Sequence, residues 1–451
     1  MSFLHSLLAL IVTLGVLITF HEFGHFWVAR RCGVKVLRFS VGFGKPLIRW
    51  HDRQGTEFVI AALPLGGYVK MLDEREGEVA EAQQDQAFNR KPVSQRFAIV
   101  AAGPLANFLL AIVAYWLLFV IGTQVLAPVV GQVEPDSPAA VAGLRSGDEI
   151  LRVDQRNTPS WQAVNLRLLQ HMGETTDLTL TVRHEQATEA RQLTLSLERF
   201  LAGQDQPNPL ESLGIQPWLP ELLPVIGQVQ PNGAAAEAGL QPGDQILQVN
   251  QQPVETWQAL VEQLQAHPQQ PLALTLRRDG QTQQLEITPA TRRLDDGREV
   301  GFVGAGVQMP DWPEHLIREQ RYNPLAALWQ AGEKTVEMSV LTLRSIGKMI
   351  TGLISPTNLS GPITIARVAS DSAKSGWETF LTFLAYVSIS LAILNLLPIP
   401  ILDGGHLLFY AIEAIRGRPL SEATQEKAAR VGLAMLGSLM LLALYFDVMR
   451  L

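Results

Sequence analysis

The chain is 451 residues long, with 47% hydrophobic and only 18% charged residues, a net charge of −7 and one cysteine, Cys32. Soluble domains carry about a quarter charged residues. A chain this poor in charge is a bad fit to a disordered protein or a coiled coil, and without a basic excess it has no nucleic-acid partner. A lone thiol forms no internal disulfide, so cysteine usage is silent on compartment.

The first element is residues 1–33, apolar to Ala29 apart from one polar cluster at 21–25, with Arg30 and Arg31 at its end and Lys35 and Arg38 just beyond it. No basic residue precedes Arg30 and no small-residue cleavage site follows, so the segment reads as a retained span rather than a signal peptide. Residues 97–122 and 379–403 are two more stretches long enough for the about 20 residues a crossing helix needs, and residues 428–447 form a shorter fourth. Basic residues cluster in the 34–96 segment (Arg90, Lys91 and Arg96 at its end) and between the last two spans (Arg416, Arg418, Lys427). The positive-inside rule therefore places both segments in the cytoplasm, with both termini and the long middle segment outside.

Within the cytoplasmic segment, residues 57–71 alternate in polarity and turn at Pro64-Leu65-Gly66-Gly67-Tyr68. That pattern predicts a β-hairpin just inside the membrane, whose exposed edge could pair with an extended peptide or simply pack on the spans.

Residues 127–310 hold 22 acidic and 12 basic side chains, every base an arginine. An offset of 96 residues brings two stretches into register: Ala142-Gly143-Leu144 with Ala238-Gly239-Leu240, Gly147-Asp148 with Gly243-Asp244, and Trp161-Gln162-Ala163 with Trp257-Gln258-Ala259. The repeat predicts two copies of one α+β domain, at 127–220 and 221–309. Each reads as strand, short helix, glycine turn, strand, then a longer helix after the tryptophan. Residues 324–354 then predict an amphipathic helix on the outer membrane surface, with Trp329, Val336, Val340, Leu343 and Ile350 on one face and Glu333, Lys334, Glu337, Arg344 and Lys348 on the others. A turn is expected at 358–362, leading back into the membrane.

The chemistry lies in the spans. His21-Glu22-Phe23-Gly24-His25 is an HExxH motif, whose spacing puts both imidazoles on one helical face where they can share a metal, with Glu22 beside them as a base for metal-bound water. Ionisable groups inside a span are costly unless they pair or bind something, and zinc would offset that cost. Asp403 is the candidate third ligand, because the first and third spans run in the same direction and bring it to the depth of the histidines. His406 is the rival three residues on. Pro398 and Pro400 interrupt the helix just before Asp403, which marks a protein-lined, wetted cavity.

Together these motifs resemble the site-2 protease family of zinc intramembrane metalloproteases (M50 type): HExxH in the first span, Asn395-x-x-Pro398-x-Pro400-x-Leu402-Asp403-Gly404 in a later one, and tandem repeats similar to bacterial PDZ domains. The resemblance implies a multi-pass, four-helix membrane protease with two external PDZ domains, in a bacterial inner membrane. It implies one Zn2+ held by His21, His25 and Asp403, with Glu22 as catalytic base. Its substrates would be single-span membrane proteins, of the anti-sigma-factor type in envelope stress signalling, and leftover signal peptides. Asn395, Pro398 and Pro400 fall where the family handles substrate, as do Gly66, Gly67 and Tyr68 in the hairpin. Asn107 matches a Gly-x-x-x-Asn element, with a plain interhelical hydrogen bond as the alternative. PDZ domains hold peptide C-termini on an apolar-Gly-apolar loop. Leu213-Gly214-Ile215 fits that loop in copy one, and Gly304 or Gly306 centres it in copy two; a size filter is the alternative role for the pair.

Overall fold

The computed structural model describes residues 2–204, 207–293, 297–353 and 361–449. The expected turn at 358–362 falls mostly outside them. Helix α1 (Ser2–Arg31) ends on two arginines that suit the negative end of its dipole, and Gly33, at φ 68°, closes it in a left-handed cap with the Val34 N–H on the Ala29 carbonyl at 2.9 Å. Strands β1 (Val36–His51) and β2 (Glu57–Met71) follow and form one antiparallel sheet.

The pairing corrects the expected hairpin. Residues 57–71 do not fold back on themselves: Tyr68–Met71 pairs along one side of β1, while Glu57–Ile60 pairs with the same β1 residues, Arg38–Val41, on the other. The far half of β1, to His51, then returns along Glu57–Ile60. The alternation in the sequence was real, but it belonged to two strand segments sharing one partner.

Helix α2 (Val93–Ile121) is followed by β3 (Thr123–Leu126) and by the two repeats. Copy one contains β4 (Val130–Val133), α3 (Pro138–Val141), β5 (Asp148–Val153), β6 (Arg156–Asn157), α4 (Trp161–Gln170), β7 (Thr176–His184), β8 (Arg191–Leu197), α5 (Pro209–Ser212) and β9 (Ile215–Pro217). Copy two contains β10 (Ile226–Val229), α6 (Ala234–Glu237), β11 (Gln245–Val249), β12 (Gln252–Pro253), α7 (Trp257–Gln265), β13 (Leu272–Arg278), β14 (Gln281–Ile287), β15 (Ala290–Arg293), β16 (Glu299–Phe302) and β17 (Ala305–Val307). The four-stranded sheets have matching orders, β6-β5-β7-β8 and β12-β11-β13-β14, and β4-β9 matches β10-β17.

The repeated aspartates explain part of the repeated sequence. Asp148 accepts from the Arg145 backbone and from Arg191, and Asp244 from the Gln241 backbone and Arg278. In each copy the arginine also reaches the carbonyl of the Ala-Gly turn, Gly143 or Gly239. Burial pushes the Asp244 carboxyl up, but the Arg278 hydrogen bonds outweigh it and hold the group below its ordinary range.

After β18 (Ile317–Gln320), which pairs with β3, comes α8 (Pro324–Ile350). Its small side chains Ala327 and Ala331 and the Thr335 hydroxyl are buried, while Trp329, Val336, Leu343 and Ile350 are exposed along an apolar face. The helix also carries copy one: Arg167 pairs with Glu337, and Lys348 reaches Glu174 at 3.0 Å and the Gln170 carbonyl at 2.8 Å. Four helices complete the chain: α9 (Pro362–Lys374), α10 (Trp377–Leu396), α11 (Asp403–Arg416) and α12 (Glu422–Met449). Among the described residues, four helices are long and apolar enough to cross a membrane: α1, α2, α10 and α12. The third span is shorter than the expected 379–403. It stops at Leu396, before Pro398, and Asp403 opens a new helix.

Candidate active site and metal centre

His21 and His25 lie one turn apart on α1, with their Nε2 atoms 3.3 Å from each other. Asp403, the first residue of α11, brings Oδ2 to 3.2 Å from His21 Nε2 and 3.5 Å from His25 Nε2. Four-coordinate zinc bonds its ligands at about 2.0–2.1 Å, which sets neighbouring donor atoms about 3.3 Å apart. The three observed separations form one face of such a tetrahedron and leave its fourth corner to a non-protein ligand. The donor set fits zinc chemically as well, two imidazoles and a carboxylate. Asp403 Oδ2 is buried and has no conventional hydrogen bond, so three electron-pair donors converge on one point. Among the described residues these three are the one cluster of histidine, cysteine and carboxylate side chains close enough to share a metal. His406 is not in it; its ring lies edge-on to Phe409.

Both histidines are oriented from α2. His25 Nδ1 lies 2.9 Å from the Ile99 carbonyl, so that nitrogen donates and Nε2 is left with its lone pair toward the cluster. His21 Nδ1 lies 3.3 Å from the Asn107 carboxamide. Gly103 stands between these two positions; a Cβ there would collide with the His25 ring and come within 2.9 Å of His21 Cε1. Asp403 is placed by the break before it. Gly404 and Gly405 back directly onto the carbonyls of Leu396, Leu397 and Ile399, an approach that any side chain would block. Helix α11 is then clamped to α2 by Arg96, which makes a two-pronged bond to Glu413 at 2.7 and 3.1 Å and stacks over Tyr410.

Glu22 is adjacent to the two histidines and faces the sheet. A Cβ on Gly67 would meet Glu22 Cγ at 3.0 Å and Ile18 Cγ2 at 2.7 Å, so β2 lies directly on α1 at this turn. Gly66 abuts the Phe43 ring, and the Tyr68 hydroxyl accepts from Arg38 at 3.1 Å. Asn395 is in the last turn of α10, half-buried, and Pro398 and Pro400 are in the break that leads to Asp403. The repeat loops lie elsewhere, in copy one (Leu213, Gly214, Ile215) and copy two (Gly304, Gly306).

Two contacts here have no sequence signature. The Ile99 carbonyl is backbone, and Arg96 and Glu413 are 317 positions apart in the chain. Asn107 offered one signal, a carboxamide inside an apolar span.

The fold and this cluster define a membrane-embedded metallopeptidase, and the chain belongs to peptidase family M50, whose model matches residues 9–439. It is a zinc metalloprotease of the site-2 type. It is 48% identical over 451 residues to Protease RseP of Yersinia pestis and 47% identical over 451 residues to the regulator of sigma-E protease RseP of Escherichia coli, each match covering 100% of both chains. A putative zinc metalloprotease of Vibrio cholerae is 44% identical over 449 residues, 99% of each chain.

Proposed function

We propose that this protein is an endopeptidase of the bacterial inner membrane that cuts the transmembrane segment of single-span proteins, with His21, His25 and Asp403 holding zinc and Glu22 acting as base. The observation that carries this reading is the triangle of donor atoms at 3.2, 3.3 and 3.5 Å, set among apolar spans with one corner open. Structural zinc sites close all four positions with protein ligands, whereas catalytic sites keep one for water.

Zinc bound there supplies Lewis acidity, which acidifies a water and polarises a peptide carbonyl. Glu22 takes the proton of the attacking water and returns it to the leaving amine. A substrate helix hides its carbonyls in its own hydrogen bonds and must unwind first, after which its backbone needs new partners. The Gly66-Gly67-Tyr68 segment of β2, pressed against α1 beside Glu22, is suited to supply them by strand addition. Asn395, in the last turn of α10, and Pro398 and Pro400, in the break that leads to Asp403, are further candidates for holding the unwound chain.

The names of the relatives, regulators of sigma E, support an anti-sigma factor as substrate and a place in envelope stress signalling. In this reading the termini and both repeats are periplasmic, and the metal lies near the cytoplasmic side. The repeats are PDZ domains with different competence for a peptide carboxylate. In copy one the Leu213 and Gly214 N–H groups already donate to the α5 carbonyls of Pro209, Leu210 and Glu211. In copy two the Val303 and Gly304 N–H groups donate to no backbone acceptor among the described residues, and a cavity of about 280 Å³ lined by Trp257, Val261 and Leu264 lies alongside. This favours peptide capture by copy two over a purely steric filter.

The test is cleavage of a model single-span substrate by the full chain in reconstituted membranes. Glu22→Gln is expected to slow cleavage by about 100–10,000-fold, the usual worth of a general base, with zinc content unchanged. Cleavage at the wild-type rate would refute the assignment.

A further inference from the structure

We propose that Asn107 is a positioning residue for the metal site: its carboxamide oxygen accepts a hydrogen bond from His21 Nδ1 and so fixes the tautomer that leaves Nε2 free to bind zinc. This rests on the reading of His21 as a ligand.

A neutral imidazole has one N–H and one lone pair. His21 Nε2 is the atom that faces Asp403 and His25, so Nδ1 must carry the proton and needs an acceptor. The group beside it is the Asn107 carboxamide, 3.3 Å away through Nδ2, while Asn107 Oδ1 is buried without a hydrogen-bond partner. Two donors would then face each other while an acceptor stands idle. A half-turn about χ2 exchanges the amide nitrogen and oxygen and leaves the shape of the side chain unchanged. In that orientation the oxygen accepts from Nδ1. The arrangement then repeats what the Ile99 carbonyl does for His25, so both ligands are set by acceptors on the same face of the site, from α2.

Asn107 is well placed for such a role. It is fully buried, and its own backbone carbonyl accepts from the Ser388 hydroxyl of α10 at 2.8 Å, which pins α2 at this point. A substrate-binding role, which the sequence motif suggests, would require the carboxamide to face incoming peptide. The observed neighbour is a ligand imidazole.

The measurement is zinc affinity of the full-length protein in detergent, by competition with a chelator, for wild type, Asn107→Leu, Asn107→Asp and Asp403→Ala. Asn107→Leu keeps the approximate volume and removes the acceptor, and is expected to weaken zinc binding by about 10–100-fold. Asn107→Asp restores an acceptor and is expected to hold zinc as wild type does. Wild-type affinity in Asn107→Leu, together with a raised KM, would overturn the proposal and return Asn107 to substrate contact. Equal loss in the Leu and Asp variants would also overturn it, because packing alone would then explain the effect. Asp403→Ala separates the two levels. If it retains zinc, the ligand assignment fails. If it loses zinc while Asn107→Leu does not, the ligands stand and the role of Asn107 alone is wrong.

Discussion

Gly103 lies opposite two imidazoles, in space that a methyl group would take from them. The usual reason for glycine, a positive φ, does not apply, because the residue sits inside regular α2. Gly103→Ala is therefore expected to weaken zinc binding by about tenfold or more through displacement of the His25 ring, on the scale of other changes just outside a metal's ligands. Chelator competition measures this, and unchanged far-UV helicity shows that α2 persists. Much of the site at this scale was legible beforehand. HExxH carries its own geometry, since a spacing of four stacks two side chains on one face, and Asp403 follows from charge placed at membrane depth. The ring-orienting contacts were not legible. A backbone carbonyl such as that of Ile99 has no residue type, and the match of Arg96 to Glu413 depends on how α11 turns after a break whose direction prolines do not specify.

Among the elements, the two repeats and the β1–β2 sheet teach opposite lessons. The repeats were readable because each local signal, the glycine turn, the aspartate and the tryptophan before the helix, occurs twice at one offset and gives the same elements both times. The sheet was misread because period-two alternation identifies strand but not partner. Residues 57–71 look like a hairpin, yet the partner of both halves is β1. Helices α9 and α11 were missed for a related reason: one is a short amphipathic segment and the other begins at the motif itself, and both lack the long apolar run that marks a span. The asymmetry between the copies yields a test. A peptide ending in an apolar residue with a free carboxylate is expected to bind copy two, and amidation of its terminus should weaken binding by about 10–100-fold, the worth of hydrogen bonds to a charged group. Titration calorimetry on the full chain, with Gly304→Pro to mark the site, measures it. Equal affinity for both peptides would favour the steric role.

The whole molecule joins a charge-poor set of spans to an acidic pair of repeats, and the joints are polar. Copy one rests on α8 through Arg167–Glu337 and Lys348–Glu174, and on the β3–β18 pair through Glu149–Arg318, so the elements that touch the first repeat also flank α2. Helix α2 in turn carries Ile99, Gly103 and Asn107. The low overall charge thus conceals a few ionisable groups gathered among the spans, His21, His25 and Asp403, and the proposed shared metal would offset the cost of their burial. The most direct test of that claim is zinc K-edge X-ray absorption on the full-length protein as purified. The expected spectrum has four light ligands at about 2.0–2.1 Å, with the outer-shell scattering of two imidazoles and no sulfur. A third imidazole, which would bring in His406, or a sulfur from Cys32 would contradict the site described by His21, His25 and Asp403.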